Sequence, residues 1–144
     1  MSAHRPAVLI IDDNRADVRL IEEVLSETGL DLDTASASSG EEGLAYLRRE
    51  GKFSGAPRPE LMVVDLSLPR MNGWDFIKNA GDLLEEVRVV VLSGSQEPDE
   101  PHEGRYIRMM KPNNSVEFEE AVGAFRTILS QISRPPPSTG PGGQ

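Results

Sequence analysis

Apolar runs and helical patterns take turns along this chain. "VLII" at 8–11 leads straight into Asp12 and Asp13. An unbroken aliphatic run beside a helical pattern reads as a parallel strand covered on both faces, here over about 7–12. From about Arg15 to Thr28 the period becomes helical, with Val18, Ile21, Leu25 and Thr28 on one face and Gly29 as terminator. A second strand over about 31–36 is short and polar, as at a sheet edge. Ser39 and Glu42 form a capping-box pattern that starts a second helix, with Leu44 and Leu47 facing inward. After the loop "GKFSGAPRP" come a third strand, "ELMVVD", and the turn residues of "LSLPRMNG". A helix over about 74–84 follows, then a fourth strand, "VRVVVLSG", and a fifth, "GRYIRMMKP". The final helix, "NNSVEFEEAVGAFRTILSQI", presents Val116, Ala121, Val122, Phe125 and Leu129 as its apolar face. The alternation predicts an α/β fold in which five parallel strands are joined by right-handed crossovers, with at most five helices and no internal repeat.

Length and composition narrow this picture. The 144 residues hold one domain with a single core. That domain is expected over 1–133, and "RPPPSTGPGGQ" at 134–144, with its three consecutive prolines, is expected to be a disordered tail. Twenty-four acidic against fifteen basic residues give a net charge of −9, which argues against a nucleic-acid partner. Cysteine is absent, which excludes thiolate metal sites and cysteine nucleophiles. "MSAHRPA" lacks the apolar stretch of a signal peptide, and no run of roughly 18 apolar residues is present to span a membrane. A cytoplasmic protein is expected.

The strand ends carry the chemistry. Asp12 and Asp13 end strand one, Asp65 strand three, Ser93 strand four, and Lys111 strand five, just before Pro112. Open α/β sheets keep their sites at this carboxyl edge. Taken singly, the acids suit helix caps, the serine a turn and the lysine a solvated surface. Their coincidence at one edge is what calls for a function. Three close carboxylates repel one another and raise one another's pKa unless a cation is present, so the cluster predicts a hard divalent ion, Mg²⁺. A hydroxyl and an ammonium opposite that ion make a pocket for a group with several anionic oxygens, and phosphoryl fits it.

Over about residues 6–133 the sequence resembles the receiver domain of two-component response regulators, the chemotaxis-regulator-like family. "IIDDN" carries the acidic pair, "VVDLSLPRMNGWDFI" the phosphoacceptor and its loop, "VVVLSGS" the hydroxyl and "MKP" the lysine. The resemblance implies a doubly wound, flavodoxin-like fold with strand order 2-1-3-4-5. It implies that Asp65 accepts a phosphoryl group from a phosphohistidine of a histidine kinase, and that Lys111 pairs with the phosphoryl oxygens. Ser93 would move in to hydrogen-bond one of those oxygens, with Gly94 leaving room for the donor. It also implies that Asp13, Asp65 and the backbone carbonyl of Ser67 ligate Mg²⁺, with Asp12 acting through water. "DNRADVRLIEEVL" and the extended loop before strand three look most like the stand-alone, single-domain regulators that partner phytochromes. A bacteriophytochrome-type kinase is then the expected donor, and the output is contact with a downstream protein or phosphotransfer partner.

Two alternatives share parts of this site. A Mg²⁺-dependent aspartyl phosphatase or phosphotransferase would need an acid two residues past Asp65, where Ser67 stands. A receiver-like interaction module without the chemistry would not need all five residues. Two departures from the family bear on output. Between Ser93 and strand five, "GSQEPDEPHEG" leaves room for at most about one helical turn, because Pro98 and Pro101 interrupt it. The fourth helix is therefore expected to be shortened or missing, and residues 94–104 to be mobile. Arg108 stands where the family usually places an aromatic or histidine that swings inward, so it is the candidate switch residue together with Ser93. The usual dimer face around the fourth helix is then not expected, and a homodimer would use another surface.

Overall fold

The computed structural model describes residues 5–93 and 106–133. Its strands are β1 (Ala7–Ile11), β2 (Asp33–Ala37), β3 (Leu61–Asp65), β4 (Arg88–Ser93) and β5 (Tyr106–Met110). They form one parallel sheet in the order β2-β1-β3-β4-β5, the doubly wound arrangement that the resemblance implied. The α-helices of the described residues are α1 (Arg15–Glu27), α2 (Gly40–Leu47), α3 (Gly73–Ala80) and α4 (Ser115–Ser133). The segment in which a shortened or missing helix is expected, and the tail from Arg134, lie outside the described residues. Among those residues, no helix is long and apolar enough to cross a membrane.

Alternation along the central strands sorts their side chains into two cores, one on each face of the sheet, where a single core was expected. Val8, Ile10, Leu61, Val63, Val90 and Leu92 pack beneath α1 and α4, against Ile21, Val24, Leu25, Phe125 and Leu129. Leu9, Ile11, Met62, Val64, Val89 and Val91 face Leu44 of α2 and Phe76, Ile77 and Ala80 of α3. Because both faces are covered, these strands read as aliphatic without polar alternation. β2, with one neighbour and mostly exposed residues, is the expected edge.

Several boundaries move for identifiable reasons. β2 starts at Asp33, two residues later than its composition suggested, because its first ladder bond runs from Asp33 N–H to Pro6 carbonyl at 2.9 Å. The helix expected over 74–84 divides at Gly81, whose φ of 51° ends α3 and opens a 3₁₀ turn over Gly81–Leu84. Val116 does not join the apolar face of α4 and is 65% exposed. At about 100° per residue it lies half a turn out of phase with Phe125, whereas Phe118 is in phase and packs on the core. The second helix is capped by Ser39 as expected, its hydroxyl accepting the Glu42 N–H at 3.0 Å. Glu42 does not close the box on Ser39; its carboxylate accepts from the backbone N–H of Ser38 at 2.6 Å.

Candidate functional site

β1 ends at Ile11, and the ladder continues one step further: Asp12 N–H donates to Ala37 carbonyl at 3.0 Å. That bond keeps the strand's alternation running through the acidic pair, so Asp12 is turned inward and buried while Asp13 is exposed. Asn14 then starts α1, its side chain accepting the N–H groups of Ala16 and Asp17 at 2.9 and 3.1 Å. Asp65, the last residue of β3, and Ser93, the last of β4, are both buried. Lys111 follows β5 and is held to β4 by its N–H on Ser93 carbonyl at 2.9 Å.

The fold brings these residues together. Asp12, Asp13 and Asp65 each offer a carboxylate oxygen, and the three atoms lie within 4.8 Å of one another. Lys111 Nζ stands 3.4 Å from Asp65 Oδ1 and 3.6 Å from Asp12 Oδ2. Ser67 donates its N–H to Asp65 Oδ1 at 3.1 Å. Arg108 is elsewhere: it is exposed on β5, on the face where Tyr106 meets Trp74 with ring centroids 5.8 Å apart. Gly94 lies outside the described residues.

Asp17 was not singled out from the sequence, yet it makes the shortest contact of Lys111, Nζ to Oδ2 at 2.7 Å. The available signal was its place one turn into the helix that starts directly after the acidic pair. A side chain there returns to the same sheet edge.

Burial pushes the Asp12 carboxyl up to about 6; the Asn14 N–H on Oδ1 opposes the rise and the neighbouring Asp65 charge adds to it. For Lys111 burial favours the neutral amine, but the hydrogen bond to Asp17 and the charges of Asp65 and Asp12 outweigh it and hold the pKa above its ordinary value. Asp12 Oδ2 is buried without a hydrogen-bond partner among the described residues. An orphaned carboxylate oxygen beside two further carboxylates is a hard-oxygen donor set, and it fits a divalent cation.

A pH dependence follows. With its folded pKa above 3.8, Asp12 binds a proton more tightly in the folded chain than in the unfolded one. It therefore adds stability as pH falls through about 6 toward 4, and this contribution is absent above that window. Metal-free protein is expected to melt at a higher temperature at pH 5 than at pH 7.5, and Asp12→Asn is expected to shrink the difference. Calorimetry in a chelator checks this, and an equal difference in the variant would contradict it.

The loop after Asp65 is closely fixed. A Cβ on Gly73 would lie 2.7 Å from Asp65 carbonyl and 2.9 Å from Leu66 Cα, so only glycine lets α3 begin this close to β3. Asn72 caps α3 by accepting the Asp75 N–H at 2.8 Å. Arg70, at φ 63°, sits in a tight turn closed by Met71 N–H on Pro69 carbonyl, and its guanidinium reaches Glu41 of α2 at 3.4 Å.

Comparison with known proteins gives consistent matches. The family described as "Response regulator receiver domain" matches residues 8–112. The response regulator Rcp1 of Synechocystis sp. is 34% identical over 96 residues, which are 65% of this chain and 65% of that protein, just under two thirds of its length. Among solved structures, the phosphorylated cyanobacterial phytochrome response regulator RcpA superposes with a TM-score of 0.76 at 32% identity, covering 89% of this chain and 96% of that one. The Mn²⁺-bound form of Rcp1 gives a TM-score of 0.67 at 29% identity, covering 93% and 97%.

Proposed function

This chain belongs to the response regulator receiver domain family, and on that premise we propose that Asp65 accepts a phosphoryl group from a phosphohistidine of a histidine kinase. It is a receiver-domain response regulator of two-component signalling. The observation that carries the proposal is one ammonium, Lys111, 3.4 Å from a buried carboxylate that ends the central strand, with the carboxylates of Asp12 and Asp13 alongside. An Asp65 carboxylate oxygen attacks phosphorus, the P–N bond breaks with its electron pair returning to the imidazole, and an acyl phosphate forms. Lys111 then pairs with the phosphoryl oxygens, and the Ser93 hydroxyl donates to one of them. Asp13, Asp65 and the Ser67 carbonyl would hold Mg²⁺ directly, with Asp12 acting through water. Bound there, the ion supplies positive charge against the phosphoryl oxygens.

Output is proposed to run through β5. Arg108 takes the place of the family's aromatic switch and, together with Ser93, responds to the phosphoryl group, and a downstream protein reads the change. The likeness to Rcp1 and RcpA supports a phytochrome-type kinase as donor.

Intact mass after incubation with acetyl phosphate and Mg²⁺ tests the proposal. A single phosphoryl adduct is expected; turnover of unrelated phosphoesters with no adduct would favour a phosphatase instead. Asp13→Ala is expected to weaken Mg²⁺ binding at least about tenfold, since even outer-shell changes at metal sites cost that much. Unchanged affinity in a metal titration would move the ligand elsewhere.

A further inference from the structure

We propose that Asp17 is a positioning residue that restrains Lys111, holding its ammonium against the first turn of α1 and competing with the phosphoryl group for it. The inference rests on the phosphoryl-accepting reading of Asp65.

The distances carry it. An ammonium–carboxylate hydrogen bond is strongest at about 2.7–2.9 Å. Among the described residues, Lys111 meets that length only with Asp17, at 2.7 Å, while Asp65 and Asp12 stand at 3.4 and 3.6 Å. The lysine of the site is thus tied first to a helix that carries none of the expected phosphoryl-binding residues. Its side chain is 17% exposed, so water screens this pair weakly. A close carboxylate cancels much of the positive field that Lys111 presents to Asp65. Phosphorylation takes the charge at Asp65 from about −1 to about −2, and that larger charge draws on the same ammonium. Whatever share of Lys111 the phosphoryl group takes, Asp17 gives up.

The partners of the tie differ in how easily they let go. Asp12 and Asp65 are buried, whereas the Asp17 side chain is 29% exposed and can be hydrated when released. Asp17 is therefore the partner whose loss the folded protein tolerates best. Phosphorylation at β3 then loosens a link between α1 and the end of β5, and so reaches the first turn of α1 without passing through Arg108.

Beryllofluoride, which stands in for the phosphoryl group on Asp65, provides the test in the presence of Mg²⁺. Its affinity is measured by fluorescence titration of Trp74 or by calorimetry for four proteins: wild type, Asp17→Asn, Lys111→Met and the double variant. Asparagine keeps the size of the side chain and leaves the backbone N–H on Asn14 in place. Asp17→Asn is expected to tighten binding about fivefold when Lys111 is present, a fraction of the strength of a charged hydrogen bond, and to change it little in the Lys111→Met background. Asp17→Ala, which also lacks an acceptor, is expected to gain at least as much. A gain of equal size with and without Lys111 would show only the removal of a distant negative charge, and would overturn the proposal. Weaker binding in Asp17→Asn would make Asp17 an aid rather than a competitor, and would overturn it too. Should wild type bind no beryllofluoride at all, the phosphoryl-accepting reading itself fails and this proposal falls with it.

Discussion

Asp65→Asn is expected to take no phosphoryl group from acetyl phosphate or from a kinase, while melting at the wild-type temperature or slightly above it. The amide matches the carboxylate in size, so the buried end of β3 is not reshaped, but its oxygen lacks the negative charge, and with it the nucleophilicity, that attack on phosphorus needs. The fold should survive because the contacts that Asp65 gives up are replaceable. Lys111 keeps Asp17 at 2.7 Å and Asp12 at 3.6 Å, and an amide oxygen still accepts the Ser67 N–H. Removing one of three clustered carboxylates also relieves repulsion in the metal-free protein, since the Asp65 charge adds to the rise that burial imposes on the Asp12 carboxyl. Intact mass and calorimetry in chelator read the two halves separately. An adduct formed at the wild-type rate would remove Asp65 from its role, and a large drop in melting temperature would show that its charge holds the sheet edge together.

Phe76→Ala is expected to cost about 3–5 kcal/mol of stability, the usual range for deleting a fully buried ring. Phe76 is completely buried on α3, in the core between the sheet, α2 and α3. Its ring edge also defines the space beside Gly43 of α2, where an added Cβ would come within 2.9 Å of Phe76 Cε1 and 2.7 Å of Ile11 Cδ1. Gly43→Ala alone therefore overpacks the site and is expected to cost about 1–3 kcal/mol. With the ring gone, the same methyl has room on one side, so the double variant should lose less than the sum of the two single losses. Urea denaturation of the three variants checks this, and strict additivity would mean that Gly43 and Phe76 do not share the space. Because α3 begins directly after the loop that follows Asp65, the Phe76 variant is also expected to phosphorylate more slowly.

Much of this molecule was legible in one dimension. A parallel strand buried on both faces is aliphatic through its middle, so β1, β3 and β4 stand out from their neighbours, and the polar residue that closes each aliphatic run marks the sheet edge. Asp12, Asp65 and Ser93 were found in this way, and Lys111 by its place just before a proline. The strand order came from family resemblance, since periodicity says which face a residue occupies but not which strand lies beside it.

The order of the amino acids dictates local features: the period of each segment, where it stops, and which chemical groups stand at the stops. Those properties depend on residues a few positions apart, through backbone geometry and capping. Long-range packing set the rest. The one-step extension of the β1 ladder onto Ala37 buries Asp12 and exposes Asp13, although the two are chemically identical neighbours. The phase of α4 against the sheet leaves Val116 in solvent. The contact of Lys111 with Asp17 joins residues 94 positions apart, and no pattern in either segment announces it. Such a distance is set by how α1 and the end of β5 settle on the same sheet edge, and packing fixes that only once every crossover is in place.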